Sequence, residues 1–238
     1  MKLDLLAIAA HPDDAELTCG GTLALAVKQG HAVGILDLVK GEAGTRGSAE
    51  RRAEEAAHAA RTLGVHTRAN AGLADAHLAN TDESRRRVIA LIRRFRPRTV
   101  ILPFPVGRHP DHRVAAELGR DACYLAGLEK YDAPGKAHRP HKLLYALAYR
   151  EDPVKPTFVV DVSVAFATKM KAIRCYKSQF DGARNAGEIF PTGQHLYELI
   201  ETQNAHYGSL IRARFGEPFF TYETVKVEDV VGLDVQSM

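Results

Sequence analysis

Cysteine is scarce in this 238-residue chain: Cys19, Cys123 and Cys175 are odd in number, widely scattered and form no C-x-x-C pair. That excludes a disulfide framework and leads to the expectation of reduced thiols in a cytoplasmic protein. Long apolar runs are also missing. Nothing approaches the roughly 20 residues of a membrane span, and no basic segment with an apolar stretch and cleavage site opens the sequence. Charge of one sign is absent too: 32 Lys and Arg stand against 29 Asp and Glu, a formal net charge of +3 without a long single-sign block. A dedicated nucleic-acid binder is not expected from that balance. No repeat of solenoid period occurs, and no G-x-G-x-x-G fingerprint follows the first apolar run.

What is present begins with Leu3 to Ala10, an apolar run of strand length that delivers His11, Pro12, Asp13 and Asp14 where it stops. If the chain turns into a helix at Pro12, His11 and Asp14 share one side of the first turn. A neutral imidazole and a carboxylate converging at a strand end supply two of the three protein ligands of a catalytic metal site. Asp13, between them, points elsewhere and is free to act as a base, or serves as a helix N-cap. The third ligand is sought in Arg108-His109-Pro110-Asp111-His112, which again follows an apolar run, Thr99 to Phe104.

Between these clusters the pattern alternates. A helix is expected over Glu16–Gln29, interrupted by Gly20-Gly21, where glycine is costly unless something approaches closely. A strand follows at Val33–Val39, then a glycine-rich loop at Lys40–Gly47 and a helix at Ser48–Leu63. Val65–Arg68 reads as a short strand before a loop at Asn70–Thr81, Asp82–Phe95 as an amphipathic helix, and Thr99–Phe104 as a strand. The arginines between Arg85 and Arg94 form either a phosphate-binding patch or, the blander reading, a solvated outer face. A helix at His112–Leu125 and a loop at Lys130–His141 come next. Strands are expected at Leu143–Tyr149 and Thr157–Val162, helices at Phe166–Tyr176 and His195–Arg214, and a last strand at Phe219–Tyr222. Asp181–Thr192 reads as a loop near the site mouth. This order gives an α/β fold: a Rossmann-like, mostly parallel sheet with helices on both faces and a mixed C-terminal extension. A single domain is expected, its core over about 1–165 and the extension over about 166–238.

Two imidazoles and a carboxylate, His11, Asp14 and His112, suit Zn²⁺ and can also hold Fe²⁺. His11-Pro12-Asp13-Asp14 paired with His109-Pro110-Asp111-His112 resembles the signature of the LmbE/PIG-L family of zinc-dependent sugar N-deacetylases. The resemblance continues through Gly41–Gly47, Glu50–Ala56 and Tyr176–Phe180. These stretches are most similar to the branch that deacetylates N-acetylglucosaminyl-malate in bacillithiol biosynthesis. The resemblance implies Asp13 as base, His109 as acid or oxyanion partner, and Asp111 as the group that orients an imidazole. It also implies Arg46, Arg52, Arg108 and Lys177 beside a small sugar-conjugate substrate, and a homo-oligomer, up to a hexamer. Several family members use a tyrosine near the site; Tyr207 and Phe215 stand at the helix end where it would be sought. Rivals are an amidase of another GlcNAc or thiol conjugate, a metal-dependent phosphoryl hydrolase, and a non-catalytic nucleic-acid module. Mg²⁺ prefers oxygen ligands, so the paired histidines argue against the phosphoryl reading.

Overall fold

A computed structural model describes residues 2–148, 154–181 and 196–235. The apolar runs become strands β1 (Leu5–Ala9), β2 (Val33–Val39), β3 (Thr67–Leu73), β4 (Thr99–Pro103), β5 (Lys142–Ala146), β6 (Phe158–Asp161) and β7 (Gly216–Phe220). They form one sheet in the order β3-β2-β1-β4-β5-β7-β6. The pairs from β3 through β5 are parallel, whereas β7 enters antiparallel between β5 and β6. Every residue of β1 and β2 is buried, as expected of parallel strands covered on both faces.

Helices α1 (Asp14–Lys28), α2 (Ala49–Leu63), α3 (Asp82–Phe95), α4 (Pro110–Leu125), α5 (Phe166–Ile173), the single turn α6 (Lys177–Phe180) and α7 (Leu196–Ser209) complete the fold. Val88, Ile89 and Ile92 of α3 join Ala115 and Leu118 of α4 in the core on one face. Leu23 of α1, Ala59 and Leu63 of α2 and Ala172 of α5 fill the other. Burial contributes roughly 1.5–3 kcal/mol for each such Leu, Ile or Val. Among the described residues the cysteines are unpaired.

Several boundaries differ from the sequence expectation for physical reasons. Strand β3 continues to Leu73 because β2 pairs with it, although Arg68, Asn70 and Gly72 have little strand preference. Helix α4 starts at Pro110, whose fixed φ and missing N–H suit a first turn, with His109 as its cap. Helix α7 stops at Ser209; a Cβ on Gly208 would sit 2.8 Å from the returning backbone at Ala213, Arg214 and Phe215. The arginine face of α3 is structural. Arg87 pairs with Glu83 at 2.7 Å and Arg86 with Asp82 at 3.1 Å. Arg93 is buried and donates to the carbonyls of Ala126, Leu128 and Ala133. The expected loop at Asp181–Thr192 lies, beyond Asp181, outside the described residues.

Candidate metal centre and active site

Strand β1 has β2 on one side and β4 on the other, so the order reverses there. Open α/β sheets bind ligands in the crevice outside the strand ends at such a switch point. Both His-Pro-Asp clusters emerge into that crevice, one after β1 and one after β4.

Asp14, the first residue of α1, stands at the centre. Its Oδ2 accepts the backbone N–H of His11 at 2.8 Å and lies 3.3 Å from His11 Nδ1 and 3.1 Å from His112 Nε2. On the far side of the His11 ring, Nε2 lies 3.1 Å from Asp75 Oδ1 and 3.3 Å from Asp111 Oδ2. Two carboxylates thus face Nε2, while Nδ1 is turned toward Asp14. Asp111 Oδ2 also accepts Ala76 N–H at 3.0 Å, so the group expected to orient an imidazole sits against His11. Donor atoms of His11, His109 and His112 lie within 4.8 Å of one another, as do those of His11, Asp75 and Asp111.

Carboxylates crowd this pocket. Asp14, Asp75 and Asp111 gather around the His11 and His112 rings, and Asp13 beside them meets the guanidinium of Arg52. Burial disfavours a charged His11, yet the hydrogen bond and charge of Asp14, with Asp13 and Asp75, raise its pKa to about 9. His112 is raised against burial by Asp14 in the same way. Asp14 is held well below the usual carboxylate range, despite its burial, by His112 and His11. Carboxylates that draw positive charge into a buried site, beside two imidazoles sharing one carboxylate, fit a divalent cation.

Asp13 lies in the turn ahead of α1 at φ 120°, a left-handed conformation costly for a residue with a Cβ. Its side chain makes no capping hydrogen bond, so the N-cap alternative falls away. Arg52 Nη2 donates to Asp13 Oδ2 at 3.1 Å and to the Pro12 carbonyl at 2.8 Å. Burial, with Asp14 adding and Arg52 opposing, lifts the Asp13 carboxyl to about 7. His109 caps α4: its Nδ1 accepts Asp111 N–H at 3.2 Å, which assigns the proton of the neutral ring to Nε2. Its ring stacks on His112 at 4.6 Å, and burial followed by the neighbouring imidazoles lowers its pKa.

The four basic residues expected beside substrate separate. Arg52 is 5% exposed and turned inward, behind Asp13. Arg46 is half-buried and donates to the Gln179 carbonyl at 3.2 Å, while Gln179 Nε2 donates back to the Arg46 carbonyl at 2.9 Å. Lys177 is exposed on α6, and Arg108 is exposed in the loop before α4. Ser178 donates through N–H and Oγ to Glu55, at 2.8 and 2.6 Å, so α6, α2 and the glycine-rich loop form one wall. Tyr207 is buried in α7, and Phe215 stacks on Phe166.

Asp75 has no place in the sequence expectation. It holds His11, accepts Ala43 N–H at 2.9 Å, and through its own N–H engages Glu42 Oε1 at 3.0 Å, fastening the glycine-rich loop to that histidine. Its signal was position: β3, read to its true end at Leu73, delivers Asp75 to the same sheet edge as His11.

The family model described as PIG-L, GlcNAc-PI de-N-acetylase, matches residues 6–123, which contain both clusters. The diacetylchitobiose deacetylase of Thermococcus kodakarensis is 34% identical over 229 residues, covering 90% of this chain and 80% of that protein. A conserved protein of Thermus thermophilus superposes with a TM-score of 0.85 at 37% identity, covering 95% of this chain and 98% of that one. The N,N′-diacetylchitobiose deacetylase of Pyrococcus horikoshii gives 0.77 at 26% identity over 92% and 82% of the respective chains. By motif, by length of match and by fold, the chain belongs to the PIG-L de-N-acetylase family.

Proposed function

We propose that this chain is a metal-dependent amidohydrolase that removes the acetyl group of an N-acetylglucosamine-type substrate, yielding acetate and a free amine. One observation carries the reading. Asp14 Oδ2 lies within 3.3 Å of both His11 Nδ1 and His112 Nε2, while the neighbouring Asp13, at φ 120°, turns to Arg52 with its carboxyl lifted to about 7. A cation held by those three residues would polarise an amide carbonyl and make water a competent nucleophile at neutral pH; Zn²⁺ suits the set and Fe²⁺ shares it.

The chain's own groups supply the proton movements. Asp13, ionised and steadied by Arg52, takes the proton of the attacking water. His109, with its one ring proton on Nε2, donates a hydrogen bond to the developing oxyanion, and the proton that Asp13 takes from water passes on to the departing nitrogen. Asp111 and Asp75 fix the His11 ring and raise its basicity.

Within this class we propose N-acetylglucosaminyl-malate as substrate, with Arg46, Arg108 and Lys177 meeting the malate carboxylates. The resemblance of Gly41–Gly47, Glu50–Ala56 and Tyr176–Phe180 to that branch supports this, and those segments form one wall beside the site. A second reading, a GlcNAc disaccharide, is favoured by the diacetylchitobiose deacetylase at 34% identity. Cytoplasmic location and a homo-oligomer remain part of the proposal. No described helix is long and apolar enough to cross a membrane. Amine release from N-acetylglucosaminyl-malate, N,N′-diacetylchitobiose and free N-acetylglucosamine separates the readings. At least a tenfold preference in kcat/KM for the malate conjugate is expected. Preference for the disaccharide moves the substrate and keeps the chemistry; no amine from any of the three overturns both.

A further inference from the structure

Both His-Pro-Asp clusters occupy one end of the sheet, and a separate cavity opens toward the other. Helix α4 runs from Pro110, in the candidate site, to Leu125, a length of about 24 Å at the helical rise per residue. Its second half meets Lys142, the first residue of β5, which pairs with Thr99 at the start of β4. These parts, with residues 139–141 and Thr221 and Glu223 beyond β7, enclose an open cavity of about 360 Å³, the size of a small-molecule site. None of the candidate metal ligands lines it. Arg120, Arg139 and Lys142 do, together with His141 and against one carboxylate, Glu223, so the cavity is doubly positive even with His141 neutral. Among the described residues none of the three fixed cations is ion-paired. The two arginines meet aromatic rings instead. Arg139 lies 4.4 Å from the centre of the Tyr124 ring and donates to the Tyr124 carbonyl at 3.0 Å, and Arg120 lies 5.9 Å from the centre of the Tyr222 ring.

The frame that holds these charges is fixed. His141 N–H donates to the Arg98 carbonyl at 2.8 Å and His138 N–H to the Ala126 carbonyl at 2.9 Å, which ties this segment to the start of β4 and the end of α4. Gly127 leaves Arg139 its place, since a Cβ there would lie 2.5 Å from Arg139 Nε. Like charges gathered without counter-charges repel, and an anion that enters relieves the repulsion. Guanidinium groups match phosphate oxygens with two parallel hydrogen bonds, and an ammonium binds them as a point charge. Two adjoining phosphates suit a doubly positive cavity better than one. Tyr124, 61% exposed, offers ring surface beside those cations on which a planar base stacks. We propose that this cavity binds a nucleoside diphosphate, with its phosphates on Arg120, Arg139 and Lys142 and its base against Tyr124. The inference stands apart from the amidohydrolase reading, because the two sites share no residue named here.

The test is calorimetric titration of the full chain with ADP, pyrophosphate and adenosine. Stacking of a base on an aromatic ring strengthens binding by about 5–150-fold, so ADP is expected to saturate and to bind about tenfold or more tighter than pyrophosphate, with adenosine weakest. Raised salt should weaken ADP, as it does any exposed charge attraction. Lys142→Glu and Arg120→Glu are each expected to weaken ADP by about tenfold or more, Lys142→Gln by several-fold, and Tyr124→Ala to bring ADP down to the affinity of pyrophosphate. Thermal melts at the wild-type temperature show that these surface variants are folded. Diphosphates also coordinate metal ions, so the quantity read is the difference between wild type and these variants, whose substitutions lie away from His11, Asp14 and His112. No saturable ADP binding overturns the proposal, as does pyrophosphate binding as tightly as ADP. Folded charge-reversed variants that bind ADP like wild type overturn it equally.

Discussion

Asp13 is held where a side chain is uncomfortable, and its strain is informative because the neighbours over-determine it. At φ 120° it departs from the path a helix-capping aspartate takes, and its carboxylate turns to Arg52. General acid–base groups contribute about 10²–10⁴-fold, so Asp13→Asn is expected to lower kcat by at least 100-fold. Metal content by elemental analysis should stay at the wild-type level, because Asp13 is not among the proposed ligands; loss of metal would contradict the separation of roles. Arg52→Gln leaves a buried carboxylate without its cation. Breaking such a pair costs about 3–5 kcal/mol, and the 6% and 12% exposure of the two side chains leaves little solvent screening. At about 2–4 °C per kcal/mol for a chain of this size, a thermal melt should fall by roughly 6–20 °C. An unchanged melting temperature would show that Arg52 does not support Asp13. The gathering of His11, Asp14, His109 and His112, with Asp13 beside them, was legible because each motif is local. The inward turn of Arg52 and the role of Asp75 were not, since each depends on a contact with a residue 39 or 64 positions away.

At the scale of elements, α1 shows why Gly20-Gly21 interrupts a helix. Cys19 leaves helical geometry at φ −138°, and the N–H groups of Gly21 and Thr22 turn to Glu217 on β7, at 2.8 and 2.7 Å. Glu217 in turn pairs with Lys169 at 2.6 Å, both residues fully buried. A Cβ on Gly21 would lie 2.8 Å from Val162 and 3.1 Å from Glu217. Gly21→Ala is expected to cost about 1–3 kcal/mol by overpacking. Glu217→Leu strands a buried ammonium and should cost about 3–5 kcal/mol, while adding Lys169→Met should recover part of it. Denaturant melts of the single and double variants check this; strictly additive losses would contradict the coupling. The sequence marked the glycines as costly, but what approaches them comes from 195 or 196 positions away, where no local pattern points.

Across the whole molecule, alternation of apolar runs with amphipathic helices made the parallel half of the sheet readable, because each β-α unit carries its own periodicity. The placement of β7 was not readable. Phe219 and Phe220 announce a strand, yet its antiparallel insertion between β5 and β6 follows from packing of the completed chain. The order of strands still places the site, since β1 and β4 are neighbours at the reversal point and each delivers one cluster. Four carboxylates and three imidazoles in one crevice should make the fold sensitive to a cation bound there. At 100 times its dissociation constant a ligand adds about 2.7 kcal/mol, so chelation is expected to lower the melting temperature by roughly 5–10 °C. The most direct measurement is amine release from N-acetylglucosaminyl-malate and N,N′-diacetylchitobiose by chelator-treated chain titrated with Zn²⁺, with Asp13→Ala alongside. Activity is expected to be absent without metal and to plateau at one equivalent per chain, while Asp13→Ala takes up the same equivalent and releases almost no amine. Full activity in the chelated chain, or in Asp13→Ala, would contradict the assignment of His11, Asp14 and His112 as the metal-bearing centre with Asp13 as its base.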